Sequence, residues 1–169
     1  GSAIGGYYYI QHAKHEAYLR KASYSYEELM REVEQPTPSL PLDKITRFIQ
    51  EYVDTPYPAL LELQLAQQAV TQNQLEKALE WLKAAAKHTP DPDLRCTALQ
   101  RGARILAAMN QFEEALALLE DIKETTYLSS TEELSGDLYS ALKEKEKALE
   151  AYQKATDNAP ELAAMMPLL

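Results

Sequence analysis

Two histidines lie close to an acidic side chain near the start of the chain. His12 and His15 are three positions apart, and Glu16 follows directly. On a helix such a pair could present nitrogen ligands to a metal ion, because residues three apart share one face. The sequence suggests no third ligand, and histidines on a helix surface are common. We therefore predict no metal site.

Nucleophilic chemistry has equally little support in the sequence. Cys96 is the single cysteine, and its position within a predicted helix favours a small, buried, apolar side chain. The serines lack the glycine-flanked turn of a hydrolase nucleophile, and no glycine-rich phosphate loop is present. The sequence thus predicts neither an enzyme nor a cofactor site.

Composition narrows the fold and the partners. The chain has 169 residues, of which 46% are hydrophobic, and only five are glycine, so tight β-hairpins are few and helix is favoured. The formal net charge is −9, and the acidic excess lies entirely in residues 51–169. An acidic body repels a phosphate backbone, which argues against nucleic acid as a partner. We predict an all-α protein.

An internal repeat explains the placement of small residues. They recur in pairs twelve positions apart: Ala66 with Ala78, Ala103 with Ala115, and Gly136 with Ala148. Two antiparallel helices approach closely only where small side chains meet at the crossing point. With a period of about 34 residues, the pattern resembles the tetratricopeptide repeat. It predicts a right-handed superhelix of antiparallel helical hairpins.

The third copy shows the pattern most fully. Tyr139 and Tyr152 are expected to fill the space beside the small pair, and Ala155 to leave room for the next helix. Pro160 suits the start of that helix. The second copy is weaker, because Ile122 stands where alanine is usual.

Boundaries follow from the repeat and from the prolines. Residues 7–56 are expected to form an N-terminal helical hairpin, in which 8–34 make one long helix and QPTPSLP ends it. Its second helix carries an apolar stripe formed by Ile45, Phe48, Ile49 and Tyr52. Residues 57–160 hold three repeats, and 161–169 form a capping helix.

Helix ends show recognisable signals. Pro58 suits the first turn of a helix that runs to about Thr71, and Asn73 and Asn110 suit turns with a left-handed backbone. Residues 130–133 (STEE) resemble a capping box at the start of a helix.

The N-terminus allows two interpretations. Gly1-Ser2 resembles what remains after tag cleavage, and AIGGYYY then leads into a segment with Lys14, Arg20 and Lys21. Either this is a helix with a tyrosine-rich face, or residues 1–6 include the outer end of a truncated membrane anchor, with the tyrosines at the lipid–water boundary. A homodimer through this helix is a further expectation. Its tyrosines are Tyr7, Tyr8, Tyr9, Tyr18, Tyr24 and Tyr26.

Binding is expected on the inner face of the superhelix, which the first helix of each hairpin lines. The predicted groove residues are Leu60, Leu63, Gln67, Val70, Gln100, Arg104, Ala107, Glu133 and Asp137. They would run from apolar, past one arginine, to acidic, and would suit a segment with an apolar stretch and a basic end. The alternative is that these are ordinary solvent-facing positions. With Arg104 as the one cation among them, a lysine–asparagine carboxylate clamp is not expected.

Two long stretches and a terminal pair of methionines carry a resemblance to a known family. They are LLELQLAQQAVTQNQLEKALEWLKAAAK, LRCTALQRGARILAAMNQFEEALALLEDIK and Met165-Met166. With them the chain resembles the YfgM family of ancillary SecYEG translocon subunits. The resemblance covers roughly residues 3–169. It implies a bacterial inner-membrane protein with a single span and a periplasmic tetratricopeptide domain. It also implies association with the translocon and with a PpiD-like membrane-anchored chaperone.

The resemblance thus favours a non-enzymatic scaffold that aids the handling of exported proteins, including contact with unfolded exported chains. A structural tetratricopeptide adaptor in another envelope assembly, without client binding, is the alternative.

Overall fold

The computed structural model describes residues 2–36 and 39–159, and all regular structure in these ranges is helical. Its helices are α1 (Ser2–Glu34), α2 (Leu42–Glu51), α3 (Tyr57–Thr71), α4 (Leu75–His88), α5 (Pro92–Ala108), α6 (Phe112–Glu120), α7 (Leu128–Ala141) and α8 (Lys145–Asp157). A 3₁₀ turn, Thr125–Tyr127, precedes α7. The predicted all-α class is confirmed. The expected capping helix at 161–169 and Pro160 lie outside the described residues.

Successive helices pair as antiparallel hairpins and stack in chain order. The pairs α3/α4, α5/α6 and α7/α8 each pack closely, α4 packs on α5, and α6 packs on α7. The first helices of these hairpins also touch, α3 with α5 and α5 with α7. They therefore form one layer of the stack, with the second helices behind it.

The turns within the three hairpins share one backbone geometry. Asn73, Asn110 and Lys143 have φ of 56°, 60° and 63°, in the left-handed region. The two asparagine turns were predicted, since asparagine tolerates this region. The third turn uses lysine, which pays a steric cost there.

Three apolar clusters make a continuous core. One joins the C-terminal half of α1 to α2 and α3, through Ala22, Leu29, Ile45, Phe48 and Leu61. The second joins α3, α4 and α5, and the third joins α5, α6 and α7. The N-terminal hairpin therefore packs on the first repeat as a further member of the stack.

Of the predictions for the helix starts, the one for α3 is confirmed and the one for α7 is wrong. Pro58 does lie in the first turn of α3, which ends at Thr71 as expected. The capping box at residues 130–133 is wrong, because α7 begins at Leu128 and Tyr127 is its N-terminal flanking residue. Ser130 instead donates its hydroxyl to the Tyr127 carbonyl at 3.1 Å.

Candidate partner-binding groove

The small-residue pairs lie buried between the helices of each hairpin. Ala66 and Ala78 belong to one cluster, and Ala103 and Ala115 to the next. In the third hairpin Gly136 and Ala148 are also buried. Each of these contacts, called a seam below, holds the second helix of a hairpin against the first helix, which belongs to the layer that carries the predicted groove.

The third seam depends on glycine. A Cβ placed on Gly136 would lie 2.5 to 2.8 Å from three ring atoms of Tyr152, so no larger residue fits without a shift. The Tyr152 hydroxyl donates to Asp137 Oδ1 at 2.6 Å, which holds the ring in place and raises the pKa of Tyr152. Tyr139 is half-buried, with the Lys147 ammonium 5.6 Å from its ring centre. The buried Ala155 offers its carbonyl to the Ser129 hydroxyl at 2.8 Å.

On α3 the predicted groove residues separate into buried and exposed sets. Leu63 is only 8% exposed and packs with Ala59 and Ala98, so its assignment to the groove surface is wrong. Its side chain belongs to the apolar cluster that joins α3, α4 and α5. Leu60 is half-buried, whereas Gln67 and Val70 are exposed. This wall is therefore richer in amide groups and less apolar than the sequence suggested.

On α5 the outcome is similar. Gln100 is 8% exposed, and its amide donates to the hydroxyls of Ser130 at 2.7 Å and Thr131 at 3.0 Å. It ties α5 to α7 and does not offer its side chain to a partner, which corrects its assignment. Arg104 is exposed and Ala107 half-buried.

The sequence analysis does not include a second exposed arginine of α5. Arg101 is exposed and lies three positions before Arg104, so helical spacing places both on one face. The groove positions that the repeat predicts on α5 are Gln100, Arg104 and Ala107, and Arg101 is not one of them. The available signal was the i, i+3 spacing itself.

On α7 both predicted acidic residues, Glu133 and Asp137, are exposed. Asp137 is engaged by Tyr152, as described, while Glu133 has no ion-pair partner in the described ranges. Across the layer, the surface thus changes from uncharged on α3 to cationic on α5 and acidic on α7.

Comparison with known proteins assigns the chain to a family. The profile of the tetratricopeptide repeat-like domain matches residues 1–169. The ancillary SecYEG translocon subunit of Escherichia coli (strain K12) is 32% identical over 99% of this chain and 81% of its own length. The chain belongs to this family of ancillary SecYEG translocon subunits. The subunit of the same name from Aggregatibacter actinomycetemcomitans is 30% identical over 94% of this chain and 76% of its own length.

Solved structures support the fold. MamA 41-end from Desulfovibrio magneticus RS-1 matches with a TM-score of 0.57 at 22% identity, over 83% of this chain and 77% of that one. The MamA RS-1 ArsTM double mutant gives 0.58 at the same identity, over 83% of this chain and 76% of its own. The likeness concerns architecture alone. Together with the family it confirms the predicted tetratricopeptide-like stack.

Other polar clusters in this family member serve the fold. Glu124 accepts a bond from Arg95 at 2.5 Å and one from the Cys96 thiol at 3.0 Å. These bonds hold the pKa of Glu124 down at about 2, while burial, followed by the bond to Glu124, raises the pKa of Cys96 to about 12. A thiol so disfavoured as thiolate is a poor nucleophile. As predicted, Cys96 is buried.

A buried acid–histidine pair joins α3 and α4. The two carboxylate oxygens of Glu62 lie 2.9 and 2.8 Å from His88 Nε2, and Glu62 is 1% exposed. Burial raises the pKa of Glu62, although the bond to His88 opposes this. The pair fastens the first hairpin internally, with the Glu62 side chain 2% exposed and the His88 side chain 21% exposed.

The histidines near the N-terminus do not converge on a ligand site. His12 and His15 are exposed, and His12 Nδ1 lies 3.9 Å from the Glu16 carboxylate. Over residues 2–36 and 39–159, no three His, Cys, Asp or Glu side chains gather as a metal site would require.

The first half of α1 extends away from the body. Residues 2–17 are all exposed, whereas Ala22, Leu29 and Val33 further along the helix are buried. Large apolar side chains remain uncovered in this half: Ile4, Tyr7, Tyr8, Tyr9 and Ile10. None of the described helices combines the length and apolar character that crossing a bilayer requires.

Proposed function

We propose that this chain is a non-enzymatic scaffold that binds other proteins beside the SecYEG translocon. The observation that carries the proposal is the match to ancillary SecYEG translocon subunits over nearly the whole chain. A stack of helical hairpins with an open face suits this role, because such surfaces bind segments of other proteins. The partners we propose are the Sec channel, a PpiD-like membrane chaperone and exported chains in transit.

We further propose that the repeats face the periplasm and that the protein is attached to the inner membrane by a single span. The support is the uncovered apolar and aromatic surface at the start of α1, since tyrosine is favoured at the lipid–water boundary. The same surface could instead join two copies of the chain. In either case the repeat body is free to bind partners, because α1 packs on it only through its second half.

The groove is the proposed contact surface, and photo-crosslinking in bacterial membranes tests it. A photoreactive residue replaces Gln67 on α3 or Ala108 on α5, which is four positions after Arg104 and so on the same helix face; both lie in the inner layer, formed by the first helices of the hairpins. Glu76 or Lys83 on α4 serve as matched controls, since all four positions are exposed. We expect adducts with Sec channel subunits or the membrane chaperone from Gln67 and Ala108 and not from the α4 positions. Immunoblots for those named proteins provide the readout.

The converse pattern, with adducts from Glu76 and Lys83 alone, would move the contact to the outer layer. Absence of adducts from every position would count against the scaffold role at the translocon. Charge substitution at Leu63 is not a useful test, because a buried core residue reports on folding.

A further inference from the structure

Two neighbouring cations lie on α5, the middle helix of the layer that carries the proposed groove. Arg101 and Arg104 are both exposed, and neither forms an ion pair anywhere in the described part of the chain. Arg95, on the same helix, is by contrast fully engaged, with bonds to Glu124 and to the Asp121 carbonyl. In a protein of net charge −9, unpaired neighbouring arginines are a local reversal of sign.

The walls on either side differ in charge. The α3 residues nearest the face are uncharged and include Gln64, Gln67 and Thr71, while Glu62 is buried against His88. On the other side α7 presents Glu133 and Asp137, each more than 4.0 Å from any arginine nitrogen, and Asp137 already accepts from Tyr152. In the described residues, no side chain of either wall forms an ion pair with Arg101 or Arg104.

We propose that Arg101 and Arg104 bind acidic side chains of a partner's extended segment, whose basic side chain meets Glu133 and Asp137. This rests on the proposed function, since it specifies what the groove holds. Guanidinium groups pair with carboxylates through two parallel hydrogen bonds, so an arginine pair is well suited to Asp or Glu. The acidic α7 surface selects the opposite charge at the other end of the segment.

The helix spacing sets the separation of the partner's charges. Neighbouring packed helices lie about 8–10 Å apart. An extended chain advances about 3.3 Å per residue. The acidic and basic residues of the partner should therefore be about three positions apart, with uncharged residues facing the amide-rich α3 wall.

Fluorescence anisotropy with defined peptides tests the assignment. Four labelled ten-residue peptides, capped at both ends, carry Glu and Lys three positions apart, Glu alone, Lys alone, or Gln at both positions. Capping removes terminal carboxylates as a competing source of charge. We expect the Glu–Lys peptide to bind most tightly, with a loss of about fivefold when Glu becomes Gln. High salt should weaken this preference.

Charge reversal supplies the decisive comparison. In the double variant Arg101→Glu/Arg104→Glu the preference for Glu should vanish, and the Lys-only peptide should bind better than the Glu-only peptide. The control Lys83→Glu/Lys87→Glu makes the same change in net charge at two exposed α4 positions. Circular dichroism melting establishes that both variants remain folded.

Two outcomes would overturn the assignment. One is an equal effect of the two double variants, which would mean that only overall charge matters. The other is binding by wild type that is the same for all four peptides, or absent for all four. Crosslinks from Gln67 and Ala108 to translocon proteins would then still support the scaffold, so the two proposals fail separately.

Discussion

The second and third hairpins are closed in different ways. In the third, α8 has 13 residues, and the Tyr152 ring lies directly on Gly136. In the second, α6 has only nine residues, and Ile122, which stands in the place of Ala155, lies beyond its end. The chain leaving α6 is held instead by Glu124, through Arg95 and Cys96.

Packing of the Tyr152 ring on Gly136 thus closes the third hairpin, whereas hydrogen bonds to Glu124 fix the end of the second. A long second helix buries a continuous seam of small and aromatic residues. Where the second helix stops early, hydrogen bonds from Cys96 and Arg95 to the Glu124 carboxylate fix the connection that follows it. The consequence is a difference in sensitivity: the third hairpin should respond to side-chain volume, and the second to pH.

Replacing a glycine with alanine in each of the two hairpins gives the largest expected difference in stability. Gly136→Ala should destabilise the chain by about 1–3 kcal/mol, because the added Cβ meets the Tyr152 ring, and the bond to Asp137 prevents the ring from moving freely. At Gly102 the same change meets Leu118 Cδ2 at 2.9 Å, the end of a flexible side chain. Gly102→Ala should lie within about 1 kcal/mol of wild type, since alanine also favours helix. Urea denaturation measures both.

A double-mutant cycle sharpens the result. If the ring is the obstacle, Tyr152→Leu should cost less stability in the Gly136→Ala background than in wild type. Strictly additive effects would mean that the methyl group is accommodated elsewhere, and the contrast between the two seams would be lost.

Acid should weaken the second hairpin through Glu124. Its pKa in the folded chain is about 2, against 4.5 for an ordinary carboxyl, so its stabilising effect is complete above pH 4.5 and is lost as the pH falls through about 2. Glu124→Gln should therefore be less stable than wild type at pH 7, and the gap should narrow across this window. Urea midpoints at a series of pH values measure the gap.

Glu80→Gln is the control, because Glu80 is an exposed residue in the middle of α4 without an ion pair in the described ranges. Its stability difference from wild type should stay small at every pH. A gap for Glu124→Gln that is constant with pH would show that shape and not charge matters at this position.

The same contrast explains which features could be read from the sequence. The seams were predictable because small residues recur at a fixed twelve-residue offset, which a helical hairpin imposes. The bonds from Gln100 to Ser130 and from Cys96 to Glu124 join residues about 30 positions apart, and no local pattern marks them. Repeat position therefore predicts Gln100 as a groove residue, whereas its side chain joins α5 to α7 in the structure.

The predictions for Leu63 and Arg101 are wrong for a related reason: Leu63 is buried although it is predicted to line the groove, and Arg101 is exposed although it is not among the predicted groove residues. Repeat position alone does not say how closely the next helix approaches. Leu63 is buried in the cluster that joins α3, α4 and α5, whereas Arg101 on α5 is exposed. The order of charges along the first helices follows from the residue types alone, whereas the burial of Leu63 and the exposure of Arg101 depend on how the helices pack. Fold class and helix order, by contrast, depend on periodic patterns that a sequence displays directly.

The smallest expected effect concerns the turns, where the third hairpin is the less favourable one. Lys143 has φ of 63° and occupies the turn position that Asn110, with φ of 60°, occupies in the second hairpin. Both turns close with a backbone hydrogen bond of 2.9 Å. It runs from Glu144 N to the Tyr139 carbonyl in the third hairpin and from Gln111 N to the Leu106 carbonyl in the second. Asparagine tolerates this backbone better than lysine, so Lys143→Asn should stabilise the chain by about 0.5 kcal/mol. The reciprocal change Asn110→Lys should cost a similar amount, as measured by urea midpoints. If both changes were neutral, the left-handed turn would carry no side-chain preference here, and the hairpins would differ in their seams alone.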